Sequence, residues 1–345
     1  MAPPAAEPIR RRPAFLARAA FQTANCQANS GLARLEHAAY GHQVDAATVR
    51  PPLFILGTSA AARPTCTTCW PRTRSSPSRR STRPSTRTFF LTESVVPRLG
   101  RPLLLRRRPH DGVALDFGVP NEDEMGLLNA SGISPYLAWA FPRDAAFYDR
   151  FLTFREATGE ELARWQASLL LFLKKLTLKY DRPLVLKSPP HTARIGLLLG
   201  MFPEARFVHI RRDPLVVFRS TRHMYAATMR YWRLQRPASD DADDRILAVY
   251  REMYDAFLDQ RPSIPVGRFC EVAYEDLVGD PIGQVASIYE VLGLSGFEQA
   301  RPRMRDYLGS IADYRRNEHP ELPEGLRRRI STQWRRCFEA WGYPD

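Results

Sequence analysis
Between Gly57 and Gly100 the chain contains no glycine. Within that interval, residues 58–88 carry no acidic side chain, and 25 of these 31 residues are Ser, Thr, Pro or Arg. The shortage matters because of what stands before it. Residues 52–57, PLFILG, read as a buried strand entering a tight turn. The turn after a first strand is where α/β nucleotide-binding proteins hold a phosphate. A phosphate cradle needs glycines, so that backbone N–H groups converge on the anion, and a helix N-terminus behind them. Pro64, Pro71, Pro77 and Pro84 recur every six or seven residues, and each costs about 3 kcal/mol inside a helix. No helix of ordinary length is expected between Thr58 and Thr88.

Other shortages narrow the class. Five cysteines (Cys26, Cys66, Cys69, Cys270 and Cys337) make no disulfide framework. Cys66-Thr-Thr-Cys69 has half of a zinc or redox spacing and lacks a second pair. No apolar run reaches about 18 residues, so no membrane span is expected. Arg10, Arg11 and Arg12 are not followed by an apolar export segment. These features point to a reducing, cytoplasmic setting and to no metal.

The odd run has two readings. One is a disordered basic insertion, which its composition supports. The other is a coding frame displaced by one base after Gly57 and recovered near Thr88. In the neighbouring frame, residues 58–71 can be re-read as HQRSGTTYLHNLLA. Trp70 has a single codon, so the overlapping codon at Pro71 can encode only Ala. A Cys69 codon ends in T or C, so the codon overlapping Trp70 can encode only Leu. The displaced reading turns a helix-incompatible run into a glycine-containing loop and a helix opening.

What is present is an ordinary globule of 345 residues with 44% apolar and 25% charged content. The net charge is +13, and the odd run supplies seven of those charges as arginine. The remaining excess suits an anionic ligand more than a nucleic-acid scaffold. Residues 1–48 are Ala-rich and are expected to form an N-terminal arm, partly disordered, with a short helix at 13–24. Residues 49–345 are expected to form one α/β domain, with 58–88 aberrant and disordered. Strands are expected at 53–56, 183–187, 205–210 and 269–274. Helices are expected at 160–180, 192–202, 214–232, 246–258, 281–292 and 325–341. Strands alternating with helices predict a three-layer α/β fold with a central parallel sheet.

Three stretches carry chemistry. In FVHIRRDPLVVFRS, Arg212 follows a strand, Asp213-Pro214 opens a helix, and Ser220 lies eight residues beyond the arginine. Such an arginine can grip a phosphate bidentately, and a serine hydroxyl can donate to it. The alternative is an arginine paired with a surface carboxylate and a serine packed in its helix. In LKSPPH, Lys187 closes a strand and His191 follows four residues later. The lysine can neutralise an anionic leaving group and the histidine can act as a general base; alternatively, the histidine makes a local bond at a helix start. In AYEDLVGDP, Tyr274 ends a strand and can face a purine, or simply pack there.

In this order and spacing the three stretches resemble the sulfotransferase family, the bacterial branch above all. The resemblance covers about residues 50–342, apart from the odd run. It implies a P-loop NTPase-like topology and 3′-phosphoadenosine 5′-phosphosulfate (PAPS) as the sulfuryl donor. It implies a small-molecule or glycan acceptor with a hydroxyl or amine, and neither a metal nor a specific nucleic acid as partner. Arg212 and Ser220 match the pair that binds the donor's 3′-phosphate, and Tyr274 a tyrosine beside the adenine. Lys187 and His191 fall near the catalytic strand end; in the eukaryotic cytosolic members the histidine follows the lysine by two residues rather than four. Arg327, Arg328 and Arg329 approximate a basic stretch that closes over the 3′-phosphate. The family's first motif, a [K/R]-S-G-T-T loop cradling the 5′-phosphosulfate, should begin after Gly57. The displaced frame restores RSGTT at residues 60–64. The chain as encoded lacks that loop, so impaired activity is expected. Two alternatives stand beside this reading: a P-loop-like kinase or NTPase, and a non-catalytic basic binding protein.

Overall fold
The computed structural model describes residues 13–58, 122–237, 242–312 and 319–345. All of the odd run beyond Thr58, including Cys66 and Cys69, lies outside the described residues. The chain divides into two compact units. Among the described residues the first takes in 13–50, 122–182 and 226–237; the second takes in 51–58, 183–225, 242–312 and 319–345.

In the first unit, the expected short helix is a 34-residue one, Pro13–Ala46. It is tied to helix Gly159–Tyr180 by a buried ion pair: Lys175 Nζ lies 2.8 Å from Glu36 Oε1, with side chains 7% and 0% exposed. Lys174 Nζ donates to the Asp45 carbonyl at 2.7 Å. Helix Gly159–Tyr180 begins with a capping box, in which Thr158 accepts from the Glu161 N–H and Glu161 accepts from the Thr158 N–H. Trp165, Leu169, Phe172, Leu173 and Leu176 recur at helical spacing and are buried. Helix Asp123–Ser131 also packs on this helix. A Cβ at Gly126 would lie 2.9 Å from the Phe172 ring, so the contact requires glycine.

The second unit holds a parallel sheet of four strands: β1 Leu53–Leu56, β2 Val185–Lys187, β3 Arg206–Arg211 and β4 Phe269–Ala273, in the order β2-β1-β3-β4. β1 is central and buried along its whole length, which explains its unbroken apolar sequence. The period of two in β3 separates two cores. Val208 and Ile210 join Leu53, Ile55, Val272 and Tyr274 against helices Tyr274–Gly279, Pro281–Val291 and Phe297–Ser310. His209, on the other face, meets Phe257 of helix Ala242–Gln260 and Trp341 of helix Arg335–Trp341.

Element boundaries differ from expectation at two informative places. Tyr274 starts a helix rather than ending β4. The last helix is two, Glu324–Gln333 and Arg335–Trp341, broken at Trp334. Its ring stacks on Tyr250 at 3.7 Å, and its Nε1–H donates to the Leu247 carbonyl at 3.0 Å. The buried indole thus fastens the junction of the two helices to helix Ala242–Gln260.

Lys175→Ala should destabilise the protein by about 3 kcal/mol, because it strands a buried carboxylate. The double variant Lys175→Met, Glu36→Leu should recover most of that. Urea unfolding checks the pair; equal losses in the single and double variants would show that the charge pairing is not the cause.

Candidate functional site
All four strands run parallel, so their carboxyl ends share one edge of the sheet. The chain leaves β1 for β2 on one side and β3 for β4 on the other. The reversal falls between β1 and β3, where open α/β sheets form a ligand crevice. The register aligns Ile55 with both Lys187 and Val208, so at that edge Gly57 lies two residues beyond the level of Lys187 and Arg212 four residues beyond it.

Gly57 has φ 119°, a conformation open to glycine and strained for other residues. Its N–H donates to Thr192 Oγ1 at 2.8 Å. Thr192 belongs to the 3₁₀ turn Pro189–Ala193 that follows β2. The SPPHTA segment thus braces the end of β1. Within it His191 is fully buried, edge-on to Phe54 with ring centroids 5.2 Å apart. The expected general base therefore sits in the core layer beneath the edge. Lys187 ends β2 and is itself largely buried.

Arg212 follows β3. Its guanidinium carbon lies 4.1 Å from the centroid of the Tyr274 ring, so two residues expected at the site, 62 positions apart in sequence, form one stacked pair. Asp213 Oδ1 accepts from the Leu215 N–H at 2.8 Å and caps helix Pro214–Trp232, with Pro214 in its first turn. Ser220 lies half-buried on this helix, about 9 Å along its axis from Pro214 at 1.5 Å per residue. The expected basic stretch is engaged locally. Arg327 donates to the Asp345 carbonyl, Arg328 pairs with Glu324 and Arg329 with Asp244.

Sequence reading missed the layer on the opposite face of β3. His209 Nδ1 lies 2.7 Å from Glu271 Oε2 across the β3–β4 pairing. Burial holds the imidazole below its usual range. Burial alone would raise the Glu271 carboxyl, but the His209 bond and the charges of Arg261 and Arg211 outweigh it and hold the carboxyl low. The pair is therefore a neutral imidazole donating to a carboxylate. The buried Tyr254 hydroxyl interacts with the Thr58 backbone N–H, and Tyr254 packs edge-on against Trp341. The signal in the sequence was the alternation within FVHIR, which places His209 opposite Val208 and Ile210.

Three comparisons bear on this geometry. The profile of the sulfotransferase family matches residues 123–299, just over half of the chain. Omega-hydroxy-beta-dihydromenaquinone-9 sulfotransferase Stf3 of Mycobacterium bovis is 36% identical over 255 residues, covering 74% of this chain and 65% of that protein. The chain thus spans a little under two thirds of that relative. The crystal structure of sulfotransferase STF9 from Mycobacterium avium superposes with a TM-score of 0.65 at 19% identity, over 92% of this chain and 85% of that one. That of STF1 from Mycobacterium tuberculosis superposes with a TM-score of 0.61 at 18% identity, over 88% and 81%. These structures share the fold. Among the described residues no group of three or more His, Cys, Asp or Glu could hold a metal, and no helix is long and apolar enough to cross a membrane.

Both members of the His209–Glu271 pair have lowered pKa values, so the unfolded chain takes up protons before the folded one as pH falls. Stability should be full above about pH 6.5 and decline below it. The urea midpoint of the native chain should drop between pH 7.5 and 5.5, and His209→Phe should drop less; parallel losses would place the dependence elsewhere.

Proposed function
We propose that this chain, which belongs to the sulfotransferase family, binds PAPS at the carboxyl edge of its parallel sheet and passes the sulfuryl group to an acceptor hydroxyl or amine. The observation that carries the reading is Arg212 stacked on Tyr274 at 4.1 Å, beside the point where the strand order reverses. A guanidinium held over a ring is restricted in direction, which suits binding of a phosphate by its N–H groups. In this reading Arg212 and Ser220 hold the 3′-phosphate, and Tyr274 orients Arg212 and borders the adenine. Lys187 offsets charge on the sulfuryl group and its leaving phosphate as they separate. The displacement is in-line and depends on positioning and charge stabilisation. His191, enclosed against Phe54, serves as a brace for the turn that holds Gly57 rather than as a base touching the acceptor.

The acceptor class follows from similarity. The name of Stf3 specifies omega-hydroxy-beta-dihydromenaquinone-9, a hydroxyl-bearing acceptor, and 36% identity supports a hydroxyl-bearing acceptor here. A glycan hydroxyl is the other member of the same chemical class. The membership of this family displaces the kinase-like and the non-catalytic readings.

The encoded chain is proposed to be a poor catalyst. Between Gly57 and Gly100 it has no glycine with which to form a backbone cradle for the phosphosulfate. Each lost oxyanion donor costs about a hundredfold to a thousandfold in rate. Replacing residues 58–71 by HQRSGTTYLHNLLA should therefore raise sulfuryl transfer from ³⁵S-labelled PAPS by about a hundredfold or more, and tighten binding of adenosine 3′,5′-bisphosphate. In the restored chain Arg212→Ala should weaken that nucleotide about tenfold or more, as expected for one charge-assisted bidentate contact. Equal turnover by the encoded and restored chains would refute the defect, and an unaffected Arg212→Ala would refute the nucleotide site.

A further inference from the structure
The segment after the last helix touches the ends of β3 and β4 at residues next to two members of the candidate site. Helix Arg335–Trp341 stops at Gly342, whose φ of 66° turns the chain out of the helix. Tyr343 then lies with the Arg211 guanidinium carbon 5.5 Å from its ring centroid. Its hydroxyl donates to Glu275 Oε2 at 2.8 Å. Arg211 also donates from its guanidinium to the Trp341 carbonyl at 3.4 Å. The segment is itself anchored, because Arg327 donates to the Asp345 carbonyl at 2.9 Å.

Arg211 immediately precedes Arg212, and Glu275 immediately follows Tyr274. Successive residues at a strand end point to opposite faces. Holding Arg211 on one face therefore sets the direction in which Arg212 leaves on the other. Tyr274 and Glu275 are the first two residues of a short helix, so fixing Glu275 limits the rotation of the turn that carries Tyr274. A third contact runs through Trp341. It packs on Tyr254 at 5.0 Å, and the Tyr254 hydroxyl meets the N–H of Thr58, next to Gly57. Burial, followed by the bond and charge of Glu275, raises the Tyr343 phenol well above its ordinary value, so it remains a protonated donor at neutral pH.

We propose that Tyr343 is a positioning residue of this site: by clasping Arg211 and Glu275 together, it sets the backbone from which Arg212 and Tyr274 project. The proposal rests on the nucleotide reading above for its functional consequence, though its structural half stands separately. Tyr343 does not touch the proposed ligand groups; it acts through their neighbours.

The test uses the full chain with residues 58–71 restored, and two measurements. Calorimetry follows adenosine 3′,5′-bisphosphate. NMR of ¹⁵N-arginine-labelled protein follows the Arg212 Nε–H, whose shift reports the ring current of Tyr274. Tyr343→Phe keeps the ring and loses the hydroxyl. It should weaken the nucleotide about threefold to tenfold, as for one hydrogen bond to a charged group. It should also move the Arg212 signal toward that of a free side chain, with thermal unfolding displaced by only about 2 °C. Glu275→Gln keeps an acceptor and should stay within about twofold of the parent, while Glu275→Ala should match Tyr343→Phe. An Arg212 signal that stays put in Tyr343→Phe overturns the proposal. So does a signal that moves with no change in nucleotide affinity. Failure of the nucleotide reading looks different: the parent binds no nucleotide, or Arg212→Ala binds as well as the parent, while the Arg212 signal still reports whether Tyr343 positions it.

Discussion

β1, Leu53–Leu56, is hydrogen-bonded in parallel to β2 on one side and β3 on the other. It is only four residues long, yet every proposed ligand contact depends on it. Its pairing sets the level at which Gly57, Lys187 and Arg212 end. The four residues are apolar and nearly inaccessible, because a central parallel strand is covered on both faces. A slip of one residue would move Phe54 out of its layer with His191, Phe202 and Phe207, and carry Leu53 and Ile55 out of the opposite core. That hydrophobic mismatch protects the register and, through it, the geometry of the edge.

Around this strand the molecule uses polar residues in two distinct ways. At the carboxyl edge stand the groups proposed to meet the ligand: Lys187, which ends β2, Arg212 after β3, and Ser220 on the helix that follows. Just behind them, a second set is turned inward and satisfied within the protein. Thr192 takes the Gly57 N–H, Tyr254 meets Thr58, and His209 donates to Glu271. A buried donor or acceptor is costly unless paired, so these bonds stabilise the strand ends. The same division explains why the histidine in LKSPPH is packed against Phe54 and why the tyrosine in AYEDL carries a guanidinium on its ring.

Much of this was legible in the sequence, for identifiable reasons. LFIL, FVHIR and FCEVA are short apolar runs bounded by breakers, and each is a strand. Asp213-Pro214 and Asp280-Pro281 open helices because the aspartate side chains accept exposed N–H groups while the proline lacks one. The family resemblance placed Arg212 and Tyr274 at one nucleotide but not against each other; no local pattern links residues 62 apart. The length of helix Pro13–Ala46 was not legible, since its weak amphipathic pattern obscures a helix held largely by contacts such as Lys175–Glu36. The break at Trp334 was hidden for a similar reason: its indole is held by Tyr250 and the Leu247 carbonyl, far away in sequence.

The amino-acid sequence by itself determined the order of the four strands and of the helices alternating with them, though not helices Asp123–Ser131 and Phe297–Ser310, together with the parallel α/β class, the glycine-free stretch after Gly57 and the identity of the basic residues near the strand ends. These are consequences of local chemistry: periodicity, proline, glycine and capping act within a few residues. Only the tertiary structure decided that Arg212 lies on Tyr274, that His191 is enclosed, and that Tyr343 clasps Arg211 to Glu275. Those outcomes depend on which faces of distant elements meet once apolar surface is buried, and that is settled by packing across the whole sheet rather than by neighbours along the chain.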